Sequence, residues 1–451
     1  MRGGWKERAR TLPAAVPSAK AHAARRRALS RQFPGEALVI PTGHEKVRAN
    51  DTHFRFRPGS DFVYLTGCHE PDCVLVLVPR GQGHEAHLFV EPNPGRSDDT
   101  FFTDRQKGEL WVGPRLGVEQ SRARFAVDQA HPLSALPAAL ARHRRVRVLR
   151  GLSAATDALL APRPDADKDL ASALSELRLI KDAAELRELQ KAIDSTRRGF
   201  EDVIRVLARG TSEREVEGHF ALRARVEGND VGYGIIAAAG AHACTLHWSR
   251  NDGPLRRGEL LLLDAGVEGK ALYTADITRT VPVSGRHTRA QRTVALLVWQ
   301  AQQAALAQVK PGNDFMAPNR AAQAVLAQGL IDLGVLEGPL SEVLRDDRTL
   351  QKRYTLHNVS HMLGLDVHDC AQARQEVYRH GPLRPGMVLT VEPGLYFQPD
   401  DLTVPAALRG IGVRTEDDVV VTTRGHRNLS RAIPSHPDAI EAWMRPLLAR
   451  G

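Results

Sequence analysis

Histidines and aspartates are concentrated in the stretch HNVSHMLGLDVHD, which covers residues 357–369. His357 and His361 lie four residues apart, which is the spacing of the zinc-protease helix motif H-E-x-x-H. That motif uses its glutamate as general base, whereas the residue here is Asn358, which cannot accept a proton in that role. Chance gives roughly 0.7 such pairs in a chain with 18 histidines among 451 residues, so the pair alone predicts no metal site.

Carboxylates at the ends of apolar strands give a stronger signal. Leu260 to Leu263 form a continuous apolar run, typical of a strand covered on both faces, and Asp264 ends it. Asp276 follows in a β-branched stretch, and antiparallel pairing could place the two Cβ atoms about 5 Å apart. Carboxylates this close need a cation or a shared proton between them. Two unrelated, solvated aspartates are the alternative that this pair leaves open.

The same arrangement occurs twice more in this half of the chain. Glu392 follows the apolar run GMVLTV, and Glu416 lies between Val413 and a valine run. Oxygen ligands with imidazole and without thiolate favour manganese, iron, cobalt or zinc. Four carboxylates and one neutral imidazole would nearly balance two divalent ions, which about 3.5–4 Å apart can share a hydroxide that attacks a carbonyl or phosphoryl centre.

In order and in local context, these residues resemble the metal-dependent pita-bread peptidases of family M24. Among them the chain is most similar to bacterial aminopeptidase P, with prolidase as a near relative. The blocks that carry the resemblance are LLLDAG, DITRTVPVSGRHTRAQR, HNVSHMLGLDVHD, GMVLTVEPGLY and RGIGVRTEDD. The resemblance covers nearly the whole chain, since residues 57–79 are similar to the amino-terminal domain of these enzymes and residues 428–444 to their tail.

The resemblance implies a site for two divalent metal ions, usually manganese, with cobalt, zinc or iron as alternatives. The ligands it implies for the first ion are Asp264, Asp276 and Glu416. Those for the second are Asp276, His361, Glu392 and Glu416. Glu392 would also take the proton of the water shared by the ions and later return it, as base and then acid.

Further residues match positions around the scissile bond of the family. His247, His357 and His368 would position the substrate and stabilise the tetrahedral intermediate, and Arg414 would hydrogen-bond a ligand carboxylate. Each of these could instead be an ordinary surface polar group. Two features depart from the family pattern, because the Asp264–Asp276 interval is one residue longer than in well-known members and Asn358 replaces an expected glycine.

The function implied is that of an exopeptidase that hydrolyses the bond between an N-terminal residue and a following proline, by a hydroxide bridging two metal ions. Its substrates would be peptides with proline at position 2, and its relatives are homodimers or homotetramers. Xaa-Pro dipeptidase (prolidase) is the alternative activity. A non-catalytic pita-bread binding module is a remote alternative, because all five ligand residues are present. Methionine aminopeptidase shares the ligands but lacks the amino-terminal domain.

Hydrophobic patterning predicts two domains of different class. An α/β amino-terminal domain is expected over residues 1–172 and an α+β domain over residues 173–451, which the resemblance implies is a pita-bread catalytic domain. In the first, strands are predicted over 36–43, 73–81, 87–93 and 145–151, with a helix over 132–143. In the second, helices are predicted over 181–207 and 289–309, and strands over 260–266, 274–283, 386–396 and 410–425.

Composition narrows the setting in which the protein works. No apolar run approaches a membrane span, and the net charge of +9 is dispersed without aromatic interleaving, so neither a membrane nor a nucleic-acid partner is predicted. The four cysteines form no C-x-x-C pair, which favours a reducing, cytoplasmic compartment. The basic first 33 residues lack a signal-peptide core, and we expect an amphipathic helix with a solvated basic face, an organelle transit peptide being the alternative.

Overall fold

The computed structural model describes residues 4–5, 11–345 and 350–449. The chain divides into two compact units, Met1–Leu177 and Arg178–Gly451. The domain boundary that the sequence predicts after residue 172 falls inside the helix Pro164–Arg178. The predicted limits of the two domains therefore stay a prediction.

The first unit is built around a mixed sheet. Its strands are β1 Ala37–Pro41, β2 Val47–Ala49, β3 Thr52–His53, β4 Val74–Arg80, β5 Gly83–Val90, β6 Gln129–Pro132 and β7 Val146–Val148. Its helices are α1 Ala19–Ser30, α2 Ser60–Thr66, α3 Thr100–Thr103, α4 Glu109–Val112, α5 Val118–Phe125, α6 Leu136–Leu140, α7 Ala154–Asp157 and α8 Pro164–Arg178. The sheet order is β6-β5-β4-β1-β7, and β4 runs antiparallel to both neighbours. Every residue of β1 is buried, as expected for a central apolar strand.

Helix α1 confirms the predicted solvated basic face only in part, because Lys20 and Arg27 are exposed but two further arginines are not. Arg25 and Arg26 are buried, and Arg26 donates hydrogen bonds to the carbonyls of Leu65 and Ala126. Arg25 donates to the carbonyl of Tyr64. Two of these carbonyls belong to the last turn of α2, where a helix has unpaired acceptors and a negative dipole end. The arginines are therefore structural partners of α2.

The second unit combines long helices with small antiparallel sheets. Its helices are α9 Ala183–Leu207, α10 Glu213–Glu227, α11 Arg289–Gln308, α12 Ala317–Asp332, α13 Leu340–Val343 and α14 Pro437–Leu448. Its strands are β8 Asp230–Val231, β9 Ile236–Ala239, β10 Leu260–Asp264, β11 Val267–Glu268, β12 Thr278–Pro282, β13 Val388–Val391, β14 Gly394–Tyr396, β15 Gly412–Arg414, β16 Asp417–Val421 and β17 His426–Asn428. The sheet orders are β12-β10-β9, β11-β8, β13-β16-β17 and β14-β15.

A buried ion pair attaches the histidine-rich segment to the start of α9. Lys181 Nζ lies 3.0 Å from an oxygen of Asp369, and each side chain is only 1% exposed. Arg178 contributes a second contact to Asp369 at 3.3 Å. The backbone N–H of Asp369 donates to the carbonyl of Met362 and closes the loop between them. The loop that carries His361 and His368 is thus held by buried charges outside the sheets.

We expect Lys181→Met to lower the free energy of unfolding by about 3 kcal/mol, because it leaves a buried carboxylate with too little positive charge. The double variant Lys181→Met/Asp369→Asn should recover part of that loss, since the uncompensated charge is gone. Urea unfolding of both variants measures the difference. Strictly additive losses would contradict the assignment of the pair.

Candidate active site

Four carboxylates reach one region of the second unit from different strands. Asp264 is the last residue of β10, and Asp276 lies two residues before β12. Glu392 directly follows β13, and Glu416 lies between β15 and β16. All five residues of each of β10, β12 and β16 are buried. Apolar strands thus fix the backbone from which the acidic side chains project.

The strand register corrects the predicted contact between Asp264 and Asp276. Strands β10 and β12 pair antiparallel as predicted, but the residue opposite Asp264 is Thr278. Asp276 is therefore the diagonal neighbour on the same face, where Cβ atoms lie farther apart than in a direct pair. The reason is that the connection is no simple hairpin, because β11 leaves it to pair with β8.

Close backbone contact holds the two ends of this connection together. Ala265 N–H donates to the carbonyl of Ile277. A Cβ at Gly266 would lie 1.7 Å from the carbonyl oxygen of Ala275, so only glycine fits there. The remaining residues reverse direction in a turn closed by a hydrogen bond from Gly269 N–H to the Tyr273 carbonyl.

Asp276, His361 and Glu416 can each direct one ligand atom so that all three atoms lie within 4.8 Å of one another. His361 Nε2 lies 3.2 Å from Asp276 Oδ2 and 3.4 Å from Glu392 Oε1. Its Nδ1 is 3.2 Å from the carbonyl of Met362, which can only accept a hydrogen bond. Nδ1 therefore carries the proton in neutral His361, and the Nε2 lone pair faces the carboxylates, as in metal-binding histidines.

Arg414 and Tyr233 hold the carboxylate of Asp264. Tyr233 donates to Asp264 Oδ1 at 2.6 Å, and Arg414 Nη2 donates to Oδ2 at 2.6 Å. Arg414 also donates to the hydroxyl of Tyr396 at 3.0 Å. Burial and the charge of Asp264 raise the pKa of Tyr233 well above its usual range, so this phenol keeps its proton. Asp264 accepts a hydrogen bond on each carboxylate oxygen, and these two bonds fix its orientation.

Without a cation, several groups of the cluster hold protons near neutral pH. Burial raises the pKa of Glu416 well above its usual range, and the charges of Asp276 and Glu392 add to the rise. Burial also raises the pKa of Glu392, to about 7. Burial lowers the pKa of His361, but the hydrogen bond to Asp276 and the charge of Glu392 raise it to about 9. A divalent cation would replace these protons and remove the repulsion.

The histidines predicted to face the substrate lie beside this cluster. His357 Nε2 is 2.8 Å from the hydroxyl of Tyr396, and its Nδ1 is 3.0 Å from the carbonyl of Asn358. Burial and the charge of Arg414 lower the pKa of His357 to about 4, which keeps the ring neutral. The ring centroids of His361 and His368 lie 4.4 Å apart, edge to face.

One cavity of about 610 Å³ unites the predicted residues. All nine of them line it: His247, Asp264, Asp276, His357, His361, His368, Glu392, Arg414 and Glu416. Apolar walls are supplied by residues such as Ile236 and Leu246. Tyr233 also lines the cavity but was not predicted from the sequence. Tyr396, which accepts a hydrogen bond from Arg414, was not predicted either. Tyr396 could have been found from its place at the end of the block GMVLTVEPGLY, whereas nothing in the sequence pointed to Tyr233.

Comparison with known proteins gives a consistent result. Residues 187–423 match the sequence model of metallopeptidase family M24, and residues 22–148 match the N-terminal domain of aminopeptidase P. Xaa-Pro aminopeptidase 1 of Streptomyces coelicolor is 51% identical over 99% of this chain and 91% of its own length. Xaa-Pro aminopeptidase of Escherichia coli is 33% identical, over 93% of this chain and 96% of its own.

Solved structures show the same likeness. Aminopeptidase PepP of Pseudomonas aeruginosa superposes with a TM-score of 0.86 at 33% identity, covering 97% of this chain and 100% of its own. A zinc-substituted Escherichia coli aminopeptidase P in complex with product gives a TM-score of 0.84 at 31% identity, covering 96% and 99%.

Fold and site together define a metal-dependent peptidase with an aminopeptidase P amino-terminal domain and a pita-bread catalytic domain, and the predicted fold class is confirmed. The chain belongs to metallopeptidase family M24. Among the residues that the structure describes, no helix combines the length and apolar character that a membrane span requires.

Replacing Asp276 by alanine should abolish metal binding, because this carboxylate is central to the only three-residue ligand cluster found among the described residues. Metal content after dialysis, measured by plasma mass spectrometry, should fall to background, and peptidase activity should fall with it. Asp400→Ala, at an exposed position, is the matched control and should keep both. A fully metallated, active Asp276→Ala protein would refute the assignment.

Metal binding should release protons, and the apparent affinity should rise with pH. The raised pKa values, about 9 for His361 and about 7 for Glu392, mean that protons near neutral pH must leave before the ligands can bind. The affinity gain should continue from about pH 6 to about pH 9 and level off above the pKa of His361. Calorimetric titration in two buffers of different ionisation enthalpy counts the protons, and a buffer-independent heat would contradict the prediction.

Proposed function

We propose that this protein is an Xaa-Pro aminopeptidase, which removes the N-terminal residue of a peptide whose second residue is proline. The observation that carries the proposal is the union of a buried acidic cluster, one imidazole and three further histidines in a single cavity. The names of relatives about half identical over nearly the full chain support the same activity.

The proposed metal centre holds two divalent ions. Asp264, Asp276 and Glu416 would bind one of them, while His361 and Glu392 would join Asp276 and Glu416 around the other. The donor set fits such a centre, because oxygen atoms dominate it and the buried carboxylates repel one another without a cation. When bound, the ions supply Lewis acidity that polarises the scissile carbonyl and acidifies water. Manganese is proposed as the native ion, with cobalt, zinc and iron as alternatives.

Glu392 is proposed to take a proton from the attacking water and to deliver it to the leaving proline nitrogen. A carboxyl whose pKa is raised by burial to about 7 suits both directions of transfer near neutral pH. Thr390 Oγ1, at 3.4 Å, and His361, at 3.4 Å, lie beside Glu392 Oε1.

His247, His357 and His368 are proposed to position the substrate and to stabilise the negative oxygen of the tetrahedral intermediate. Tyr396 accepts from Arg414 and donates to His357 Nε2, so the His357 Nδ1 proton points to the Asn358 carbonyl. Both ring nitrogens of His357 are thus engaged, and His357 must exchange one of these bonds to contact substrate. Arg414 would act through Asp264 and Tyr396, which it orients.

Proline suits this chemistry because the Xaa-Pro amide has no N–H and its ring excludes ordinary recognition of an extended backbone. Metal ions that polarise the scissile carbonyl directly would not need an amide N–H for recognition of the substrate. Xaa-Pro dipeptidase is the second candidate, since the same cluster would serve it.

The setting proposed is a cytoplasmic homo-oligomer that binds neither nucleic acid nor membrane. The four cysteines are free and buried, which supports a reducing compartment. Oligomerisation is proposed from the family resemblance alone, and light scattering of the purified chain measures it.

The deciding experiment is cleavage of peptides by protein stripped of metal and reloaded with manganese. An Xaa-Pro-Yaa tripeptide should be cleaved, while an Xaa-Ala-Yaa tripeptide should not. EDTA should abolish turnover, and manganese should restore it. Faster cleavage of an Xaa-Pro dipeptide than of the tripeptide would favour the dipeptidase. Failure to cleave any Xaa-Pro peptide after loading with manganese, cobalt, zinc and iron in turn would overturn the proposed function.

A further inference from the structure

The segment that carries His247 connects β9 to β10. It begins with a 3-10 turn, Gly240–Cys244, and continues without regular structure as far as β10. One anchor of this segment is Asn251, which is fully buried with a left-handed φ of 46°. The Asn251 side chain accepts from Ala237 N–H and donates to the Ile235 carbonyl.

A second and more unusual anchor is Glu213, the first residue of α10. Its side chain is fully buried and accepts four hydrogen bonds. One carboxylate oxygen accepts from Ala239 N–H and from His242 Nδ1, each at 2.7 Å. The other accepts from Trp248 Nε1 at 2.9 Å and from Gly253 N–H at 2.7 Å. The donors come from both sides of His247.

This set of partners requires a carboxylate. All four partners are N–H donors and each oxygen serves two of them, so an amide would place its NH₂ against two donors. Burial raises the pKa of Glu213, but the hydrogen bonds from Ala239, His242 and Trp248 outweigh burial and lower it below the usual range. Glu213 is therefore an ionised acceptor whose charge is satisfied inside the protein.

Two aromatic rings connect Glu213 to the backbone next to His247. The His242 and Trp248 rings stack with centroids 3.9 Å apart and an interplanar angle of 23°. Trp248 directly follows His247 in the chain, and the His247 side chain lines the cavity with the acidic cluster. Fixing the indole by stacking and by its N–H bond fixes the backbone from which His247 projects.

We propose that Glu213 is a positioning residue that aims His247 into the cavity and so sets the rate of peptide cleavage without taking part in metal binding. The inference rests on the proposed function, since it assigns Glu213 to the use of His247 by that reaction. Neither Glu213 nor any of its four donor residues belongs to the acidic cluster, and metal content is therefore predicted to be independent of Glu213.

The test compares Glu213→Gln, His247→Ala and the double variant in manganese-loaded protein. Glu213→Gln should reduce kcat/KM about 100-fold, the loss expected from displacing a group that contacts substrate by about 1 Å. Metal content should equal that of the unmodified protein. The double variant should be no slower than His247→Ala alone, because Glu213 acts only through His247.

Glu215→Gln is the matched control, since it makes the same exchange in the same helical turn. Glu215 is exposed and caps the start of α10 through Ser212, and it should keep full activity. A second variant, Gly253→Ala, retains Glu213 but adds a Cβ 2.7 Å from the His242 ring and 3.1 Å from a Glu213 oxygen. It should reproduce the loss seen with Glu213→Gln.

Hydrogen–deuterium exchange gives a readout that does not depend on turnover. Peptides covering residues 239–253 should exchange slowly in the unmodified protein and in Glu215→Gln, and faster in Glu213→Gln. Unmodified protein that cleaves no Xaa-Pro peptide overturns the proposed function and the catalytic part of this inference together. Normal turnover of Glu213→Gln, loss of its metal, or additive losses in the double variant would overturn the inference alone.

Discussion

Repulsion between buried carboxylates is the constraint on which the catalytic unit depends. Bringing Asp264, Asp276, Glu392 and Glu416 together out of water raises the free energy of the folded chain, as the raised pKa values of Asp264 and Glu416 indicate. The compensation is local, since Arg414 and Tyr233 donate to Asp264 while Thr278 donates to Glu416 at 2.6 Å. Beyond these donors, ligand atoms of Asp276, His361 and Glu416 lie close enough together to hold a cation in place of the protons.

A second group of buried charges holds the segments that surround this cavity. Arg279 is fully buried beneath the site, where it pairs with Asp417 and donates to the carbonyl of Glu416. Lys181 and Asp369 fix the loop with His361 and His368, and Glu213 fixes the segment with His247. In each case the charged group has its bonding partners within the protein, and these contacts stabilise the local geometry. These buried charges hold the backbone of the segments whose side chains line the cavity.

The sequence predicted the fold, and the nine residues that it singled out line one cavity, but the predicted pairing between two of them was wrong. Acidic residues at the ends of apolar runs can be recognised from the sequence alone. The apolar run predicts a buried strand, and a carboxylate next to it is energetically unfavourable without a partner. The predicted pairing of Asp264 with Asp276 was wrong by two residues, since the register depends on β11 leaving the connection to pair with β8. Tyr233, Glu213 and the buried arginines of α1 escaped prediction because their partners lie far away in the chain, where residue type alone gives no signal.

The close packing of Gly266 against Ala275 has a consequence for how this family can vary. Between these two residues the chain forms β11 and then a turn, in which Leu272 takes a left-handed φ of 66°. The extra residue in the interval from Asp264 to Asp276 can be accommodated in that turn, because the backbone contact isolates the carboxylates from it. A residue can therefore be added to the turn of this chain without a change in the distance between the two acids.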